Sequence, residues 1–174
     1  LLSEERARQN RVINLIASEN YVSPGILKAL GSELTNKYAE GYPGKRYYGG
    51  NSVVDQIETL AQERALKLFG LDSSQWSVNV QPYSGSPANL AVYTALIPFG
   101  EKIMGMSLDM GGHLTHGQKV SVTGKFWTQI PYGLSRDTEL LDYDVLRALA
   151  VEEKPKLIIA GFTAYSRVID FSKF

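Results

Sequence analysis

The chain has 174 residues, with 18 basic and 18 acidic side chains that cancel, and 44% of it is hydrophobic. This is enough apolar material for one globular domain or for part of a larger one, and the balanced charge argues against any general attraction to nucleic acid or an anionic membrane. There is no cysteine, so no disulfide, which suits a reducing compartment; no apolar run approaches the ~18 residues of a membrane span, and the first residues resemble neither a secretory nor an organellar presequence.

Arg6, Arg8 and Arg11 stand beside Glu4 and Glu5 and read as a solvated helix face rather than a binding arm. Ser23-Pro24 predicts an N-cap and a first helical turn, continued by Ile26, Leu27, Leu30 and Leu34. Between Tyr38 and Gly50 glycines and a proline break every period, giving a structured loop. Asn51 is placed to cap a longer helix whose stripe of Val54, Ile57, Leu60, Ala61, Ala65 and Leu68 should give one face to the core, with Gly70 closing it. Val78-Asn79-Val80 reads as a strand, and Ser84 to Pro87 opens a helix through Leu90, Ala91, Thr94 and Ala95. Ile103–Met106, Val120–Thr123 and Lys156–Ala160 are further strand candidates, the last apolar enough to be covered on both faces. Asp142 should cap a helix carrying Val145, Leu146 and Leu149. Strands alternating with helices predict an α/β sandwich around a mainly parallel sheet. The chain stops at Phe174 soon after an apolar run, without a polar tail, and is expected to be part of a longer protein.

Three stretches carry chemistry. Ser84-Gly85-Ser86 heads a helix, where unpaired N–H groups, the helix dipole and two hydroxyls make a seat for a single phosphate; simple capping by Ser86 is the plain alternative. Gly111 to Gly117 holds both histidines, His113 and His116. Imidazoles three apart can bind metal, shuttle protons or stack on a planar cofactor, and with Asp109 the only nearby carboxylate, metal is disfavoured and stacking preferred. For His116, a plain hydrogen bond to backbone competes with that role. The Tyr38–Gly50 loop concentrates four tyrosines, Glu40 and two cations, a mixture that holds polar substrates against an apolar wall. Burial among the tyrosines would raise the pKa of Glu40 and suit it to proton transfer; alternatively the tyrosines pack at a subunit boundary and Glu40 pairs with Arg46.

The motifs Leu15–Asn20, Asn36–Gly50, Asn79–Asn89 and Gly111–Gly117, in this order along nearly the whole chain, resemble those of serine hydroxymethyltransferases. The resemblance implies a fold-type I pyridoxal 5′-phosphate enzyme with an aspartate aminotransferase-like large domain, a three-layer α/β/α sandwich of mainly parallel strands present here in part. Residues 1–22 would be an amino-terminal segment and 23–174 the first part of the cofactor domain, with its remainder and a small carboxy-terminal domain absent. The implied reaction interconverts serine plus tetrahydrofolate with glycine plus 5,10-methylenetetrahydrofolate, by retro-aldol cleavage or direct folate attack.

By position, the resemblance assigns Ser84, Gly85 and Ser86 to the cofactor phosphate, His113 to stacking on its ring, Thr163 to its phenolic oxygen and Asn89 to a less direct contact. Ser18 would help hold the substrate carboxylate; Tyr38 and Tyr48 would be given to the neighbouring subunit's site; Glu40 would be the acid–base group, also across the dimer. Leu108, Gly112, His113 and Leu114 would face folate, and no residue is assigned to a metal. An obligate homodimer is expected, with a tetramer as the alternative, in the cytoplasm or, alternatively, a mitochondrion or plastid. The lysine that attaches the cofactor, the aspartate at its ring nitrogen and the arginine for the substrate carboxylate would all follow residue 174, so these residues alone are expected to be inactive. The His116–Pro131 stretch is short, as in bacterial members, whereas Ser73–Tyr83 is more like eukaryotic ones. Two rivals are a relative specialised for another β-hydroxy amino acid and a non-catalytic fragment or paralogue that dimerises with an active subunit.

Overall fold

The computed structural model describes residues 1–16 and 18–174; Ala17, inside the Leu15–Asn20 motif, lies outside the described residues. The chain forms two compact units, Leu1–Val80 and Gln81–Phe174.

In the first unit, α1 (Leu2–Gln9) buries no residue, and Arg8 holds Glu5 on its surface, as a solvated face requires. In α2 (Pro24–Leu30) the Ser23 hydroxyl accepts the Ile26 N–H at 3.4 Å, the expected cap. Gly31 ends this helix early, so Leu34 falls in a separate 3₁₀ turn over Glu33–Asn36 rather than on the predicted stripe. The tyrosine-rich loop is an antiparallel hairpin of β1 (Gly41–Tyr42) and β2 (Lys45–Arg46), with Gly41 opposite Arg46.

The long helix is α3 (Ser52–Leu68). Gly70, at φ +65°, closes it: its N–H donates to Lys67 O and the Leu71 N–H to Leu66 O at 2.9 Å, the paired pattern that satisfies the last carbonyls. Asn51 occupies the cap position, but its side chain does not cap; Nδ2 donates instead to Tyr48 O at 2.9 Å, tying the loop to the helix. The apolar stripe does not reach a core. No residue of α3 is buried, and Ile57 and Leu60 are each 43% exposed. Val78–Val80 forms no strand, because three residues make a strand only against a ladder partner, and no strand of the described residues pairs with them.

The second unit is the α/β layer. Its parallel sheet has the order β4-β3-β5, from β3 (Lys102–Met106), β4 (Thr128–Tyr132) and β5 (Leu157–Ile158). Alternate residues of β3 point to opposite faces, and the packing follows that alternation. Ile103 packs with Tyr93 of α4 (Gly85–Leu96), with Ile97 at the C-cap of that helix and with Trp127. Met104 and Met106 pack with Leu146 of α6 (Tyr143–Glu153), Tyr132 and Leu141. Helix, sheet and helix therefore stack in three layers with β3 covered on both sides, which is the expected α/β/α architecture.

Two expectations fail here. Val120–Thr123 is not a strand: Ser121 accepts the Gly124 N–H at 3.1 Å and caps the short α5 (Val122–Phe126), so the hydroxyl's local bond wins over β-branched propensity. The strand lies further on, at β4, which starts at Thr128 and contains Pro131. The proline is tolerated because β4 pairs on one side only, with β3, and Pro131 lies opposite Gly105. The Lys156–Ala160 run gives only the two residues of β5, half-buried rather than covered. Asp142 caps α6 as predicted, accepting the N–H groups of Asp144 and Val145 at 3.1 Å each.

Candidate active site

In the second unit the chemistry collects beyond the carboxyl ends of β3 and β5, where open parallel sheets place their ligands. The segment Ser107–Gly117 leaves β3, and Ile159–Tyr165 leaves β5. They are stitched together by the N–H groups of Thr163 (2.9 Å) and Ala164 (3.2 Å), both donating to Gly111 O. This puts exposed Thr163 beside the histidine loop.

Ser84 is the N-cap residue of α4, yet its side chain makes no capping bond. The first turn of α4 thus presents N–H groups and a Ser84 hydroxyl that are not bonded to each other. A Cβ added at Gly85 would meet nothing within 4 Å, so no neighbour in the chain demands glycine there. Ser86 is half-buried beside it.

One turn further along α4, Asn89 Nδ2 donates to Thr115 Oγ1 at 2.9 Å. That hydroxyl lies 2.8 Å from His113 Nδ1, and the Thr115 N–H donates to the same nitrogen at 3.1 Å. With a backbone N–H aimed at Nδ1, this nitrogen is an acceptor, and a neutral His113 carries its proton on Nε2. The ring's tautomer and orientation are thus set by Asn89 and Thr115. Thr115 is absent from the sequence-based assignment; its position between the two histidines was the available signal.

His116 does something different. Its Nδ1 accepts the His113 N–H at 3.2 Å, closing a reciprocal cap around the turn Leu114–His116, and it is buried. Burial, and then the neighbouring His113, hold its pKa below the ordinary imidazole value. His116 is a structural histidine. Among the described residues no group of three or more His, Cys, Asp or Glu could hold a metal ion.

Glycine is obligatory at two positions of this loop. A Cβ on Gly112 would run into the Met106 carbonyl oxygen, and Gly117 combines φ +104° with a Gln129 side chain against it. Gly112, predicted to face folate, is thus required first by the turn out of β3. Leu108 and Leu114 on either side are 41% and 43% exposed, an apolar pair open to a ligand.

The other assigned residues belong to the first unit. Ser18 is exposed in a turn. In the hairpin loop the Tyr38 hydroxyl donates to Glu40 Oε2 at 3.3 Å, and Tyr38 meets Tyr48 edge-on with ring centres 5.2 Å apart. Glu40 is exposed, so the expected burial among tyrosines is not supplied by the loop itself. Nor does Glu40 pair with Arg46, whose guanidinium binds Asp55 at 2.8 Å and Glu58 at 2.6 Å on α3. That acidic pair, spaced i and i+3 on one helix face, was legible but not read as the partner of Arg46.

Residues 1–174 match the family model for serine hydroxymethyltransferase. Serine hydroxymethyltransferase 1 of Pseudomonas fluorescens (strain Pf0-1) is 60% identical over 174 residues, which is 100% of this chain and 41% of that protein. The serine hydroxymethyltransferase of Teredinibacter turnerae is 58% identical over 171 residues, 98% of this chain and 40% of that protein. Serine hydroxymethyltransferase 1 of Pseudomonas aeruginosa is 58% identical over 173 residues, 99% of this chain and 40% of that protein. The chain spans about two fifths of the length of these curated relatives. With the family model matched from first residue to last, on a parallel α/β layer that carries the histidine loop at its carboxyl edge, the chain belongs to the serine hydroxymethyltransferase family.

Proposed function

We propose that the protein converts L-serine and tetrahydrofolate reversibly into glycine and 5,10-methylenetetrahydrofolate, with pyridoxal 5′-phosphate as cofactor. The observation that carries this reading is the bonded series Asn89–Thr115–His113, which ties α4, whose N-cap Ser84 makes no side-chain capping bond, to an oriented imidazole in a chain matched throughout by the family.

The donor set fits the cofactor. Ser84, Gly85 and Ser86 would hold its phosphate, the His113 ring would lie against its pyridine and the Thr163 hydroxyl would meet its phenolic oxygen, with Asn89 acting on His113 through Thr115. Bound there, the cofactor supplies an electron sink for the bond that breaks at the substrate α-carbon. The chain's own residues bind and move protons around that bond. Ser18 and Tyr48 hold the substrate, and Glu40, steered by the Tyr38 hydroxyl, takes and returns the proton of the serine hydroxyl. Leu108, Gly112 and Leu114, with His113, form the wall for folate.

Exposed Tyr38, Tyr42, Tyr47 and Tyr48 support a homodimer, or a tetramer of two such dimers, in which these residues and Glu40 complete a site on the neighbouring subunit. In this reading residues 1–22 are an amino-terminal segment and 23–174 open the cofactor domain. Serine, glycine and folate are the partners, with neither nucleic acid nor membrane among them; no helix is long and apolar enough to cross a membrane among the described residues. Bacterial relatives favour a cytoplasmic setting over a mitochondrial or plastid one.

Serine cleavage by the complete protein, with and without tetrahydrofolate, tests the reading. Folate should stimulate cleavage, and Glu40→Gln should slow it by about 10²–10⁴-fold while cofactor absorption is unchanged. Cleavage indifferent to folate overturns the proposed reaction, and full turnover in Glu40→Gln overturns the role of that residue.

A further inference from the structure

The Arg46 side chain is enclosed by polar groups where there is no apolar core. It is 5% exposed, and hydrogen-bonding groups take up its donors in four directions. Nε donates to Asp55 Oδ1 at 2.8 Å and Nη2 to Glu58 Oε2 at 2.6 Å, anchoring one edge on α3. Nη1 donates to Ala39 O at 2.8 Å and to Gly41 O at 2.7 Å, the carbonyls on either side of Glu40. The Glu40 carbonyl itself accepts the Tyr47 N–H at 3.2 Å, and Tyr38 O accepts Lys37 Nζ at 3.0 Å. Four successive carbonyls from Tyr38 to Gly41 are therefore held, and two of them by one guanidinium.

The α3 end of this clamp is firm. Asp55 Oδ2 accepts the Gly44 N–H from the hairpin tip at 3.0 Å, and that bond, followed by the one from Arg46, keeps the Asp55 carboxyl below the usual carboxylate range. Bonds to Asp55 and Glu58 raise the pKa of Arg46, so it is a permanent cation in the clamp. A lysine cannot replace it: an ammonium is a point donor without the planar fork that reaches a helix and two carbonyls together.

We infer that Arg46 is the positioning residue for Glu40, bracketing the peptides on both sides of it and fixing them to α3; the inference rests on the acid–base role proposed above for Glu40. The side chain of Glu40 is exposed and, among the described residues, is bonded by the Tyr38 hydroxyl alone, so its placement depends on its backbone. Among the described residues, the hydrogen bonds of Arg46 go to Asp55, Glu58 and the Ala39 and Gly41 carbonyls, not to the Glu40 carboxylate or to a side chain assigned to cofactor or substrate. Arg46 acts by removing the freedom of the main chain that carries the proton-transfer group.

The test compares Arg46→Lys, Glu40→Gln and the double variant in the complete protein loaded with cofactor. Arg46→Lys should lower kcat by about 10–100-fold, the cost of misplacing a reacting group by about an ångström, with KM for serine and cofactor absorption unchanged. The double variant should be no slower than Glu40→Gln, because a misplaced and a missing base fail at the same step. Multiplied losses, a change confined to KM, or an unchanged kcat would overturn the inference. Hydrogen exchange gives a reading independent of turnover, so a failure of the proposed reaction leaves the inference testable. In Arg46→Lys the Tyr47 amide should exchange about tenfold faster while amides inside α3 keep their protection. An unchanged Tyr47 amide, or loss of protection through α3 as well, would overturn it.

Discussion

Residues 81–174 hold all nine buried hydrophobic side chains of the described chain, whereas residues 1–80 hold none and bury only Asn51. The two units are organised by different physics. In the second, β3 is covered on both faces by α4 and α6, and burial of Ile103, Met104, Met106 and Leu146 sets the positions of the loops that leave the sheet. In the first, caps, a closing glycine and the Arg46 clamp set local geometry, and the apolar side chains of α2 and α3 stay exposed or half-buried. The residues proposed to face the cofactor thus sit on a packed scaffold, and the proposed acid–base residue Glu40 on a hydrogen-bonded one. A site on packed elements resists loop motion, while a site on a clamp can be lost through a single side chain.

Three changes sharpen or break that contrast. The largest effect belongs to the packed unit: Leu146→Ala should cost about 2–5 kcal/mol in denaturant unfolding, through lost burial and the cavity left behind. A loss below that range would mean the layer collapses around the gap and is softer than its packing implies.

His116 gives an intermediate effect. Its folded pKa lies below the ordinary value, so the unfolded chain binds more protons between the two values. The stability from neutral His116 is fully present above about pH 6.5 and is lost as pH falls through the lower folded value. His116→Phe should cost about 1–3 kcal/mol at neutral pH, since the His113 N–H loses its acceptor, and should flatten this part of the pH dependence of Tm. A slope that survives in the variant would assign it to another group.

The smallest effect is expected in the unit without a core. Ile57→Ala on α3 should change the stability of the 174-residue chain by less than about 0.5 kcal/mol. In the complete protein the same substitution reads whether another surface covers α3. A cost there of about 2 kcal/mol or more would show that α3 is packed in the assembled enzyme.

Local bonding was the most legible level. Ser23, Asp142 and Gly70 each end or begin a helix where expected, because a cap or a left-handed closure depends on a few neighbouring residues. Strands were harder. Val120–Thr123 has strand propensity, yet Ser121 caps a short helix from Val122, and β4, not proposed from sequence, contains Pro131, which an edge pairing tolerates. At the site, Ser84, His113 and Thr163 were named from sequence, while Thr115 was not and Arg46 was named only as a partner for Glu40 that it does not pair with. Neither looks like a reactive group, and their roles exist only through partners 26 residues away for Thr115, at Asn89, and 12 away for Arg46, at Glu58.

By itself the sequence determined the family, the alternation of strands and helices, the caps and the residue types offered to a phosphate, a planar ring and a proton. Each of those depends on identity and spacing over a short reach. Tertiary structure alone decided which runs became strands, which glycines are obligatory, which histidine is structural and which groups orient His113 and Glu40. These depend on what another part of the chain places opposite a residue, and hydrogen bonds and packing reward that placement only after the chain has folded.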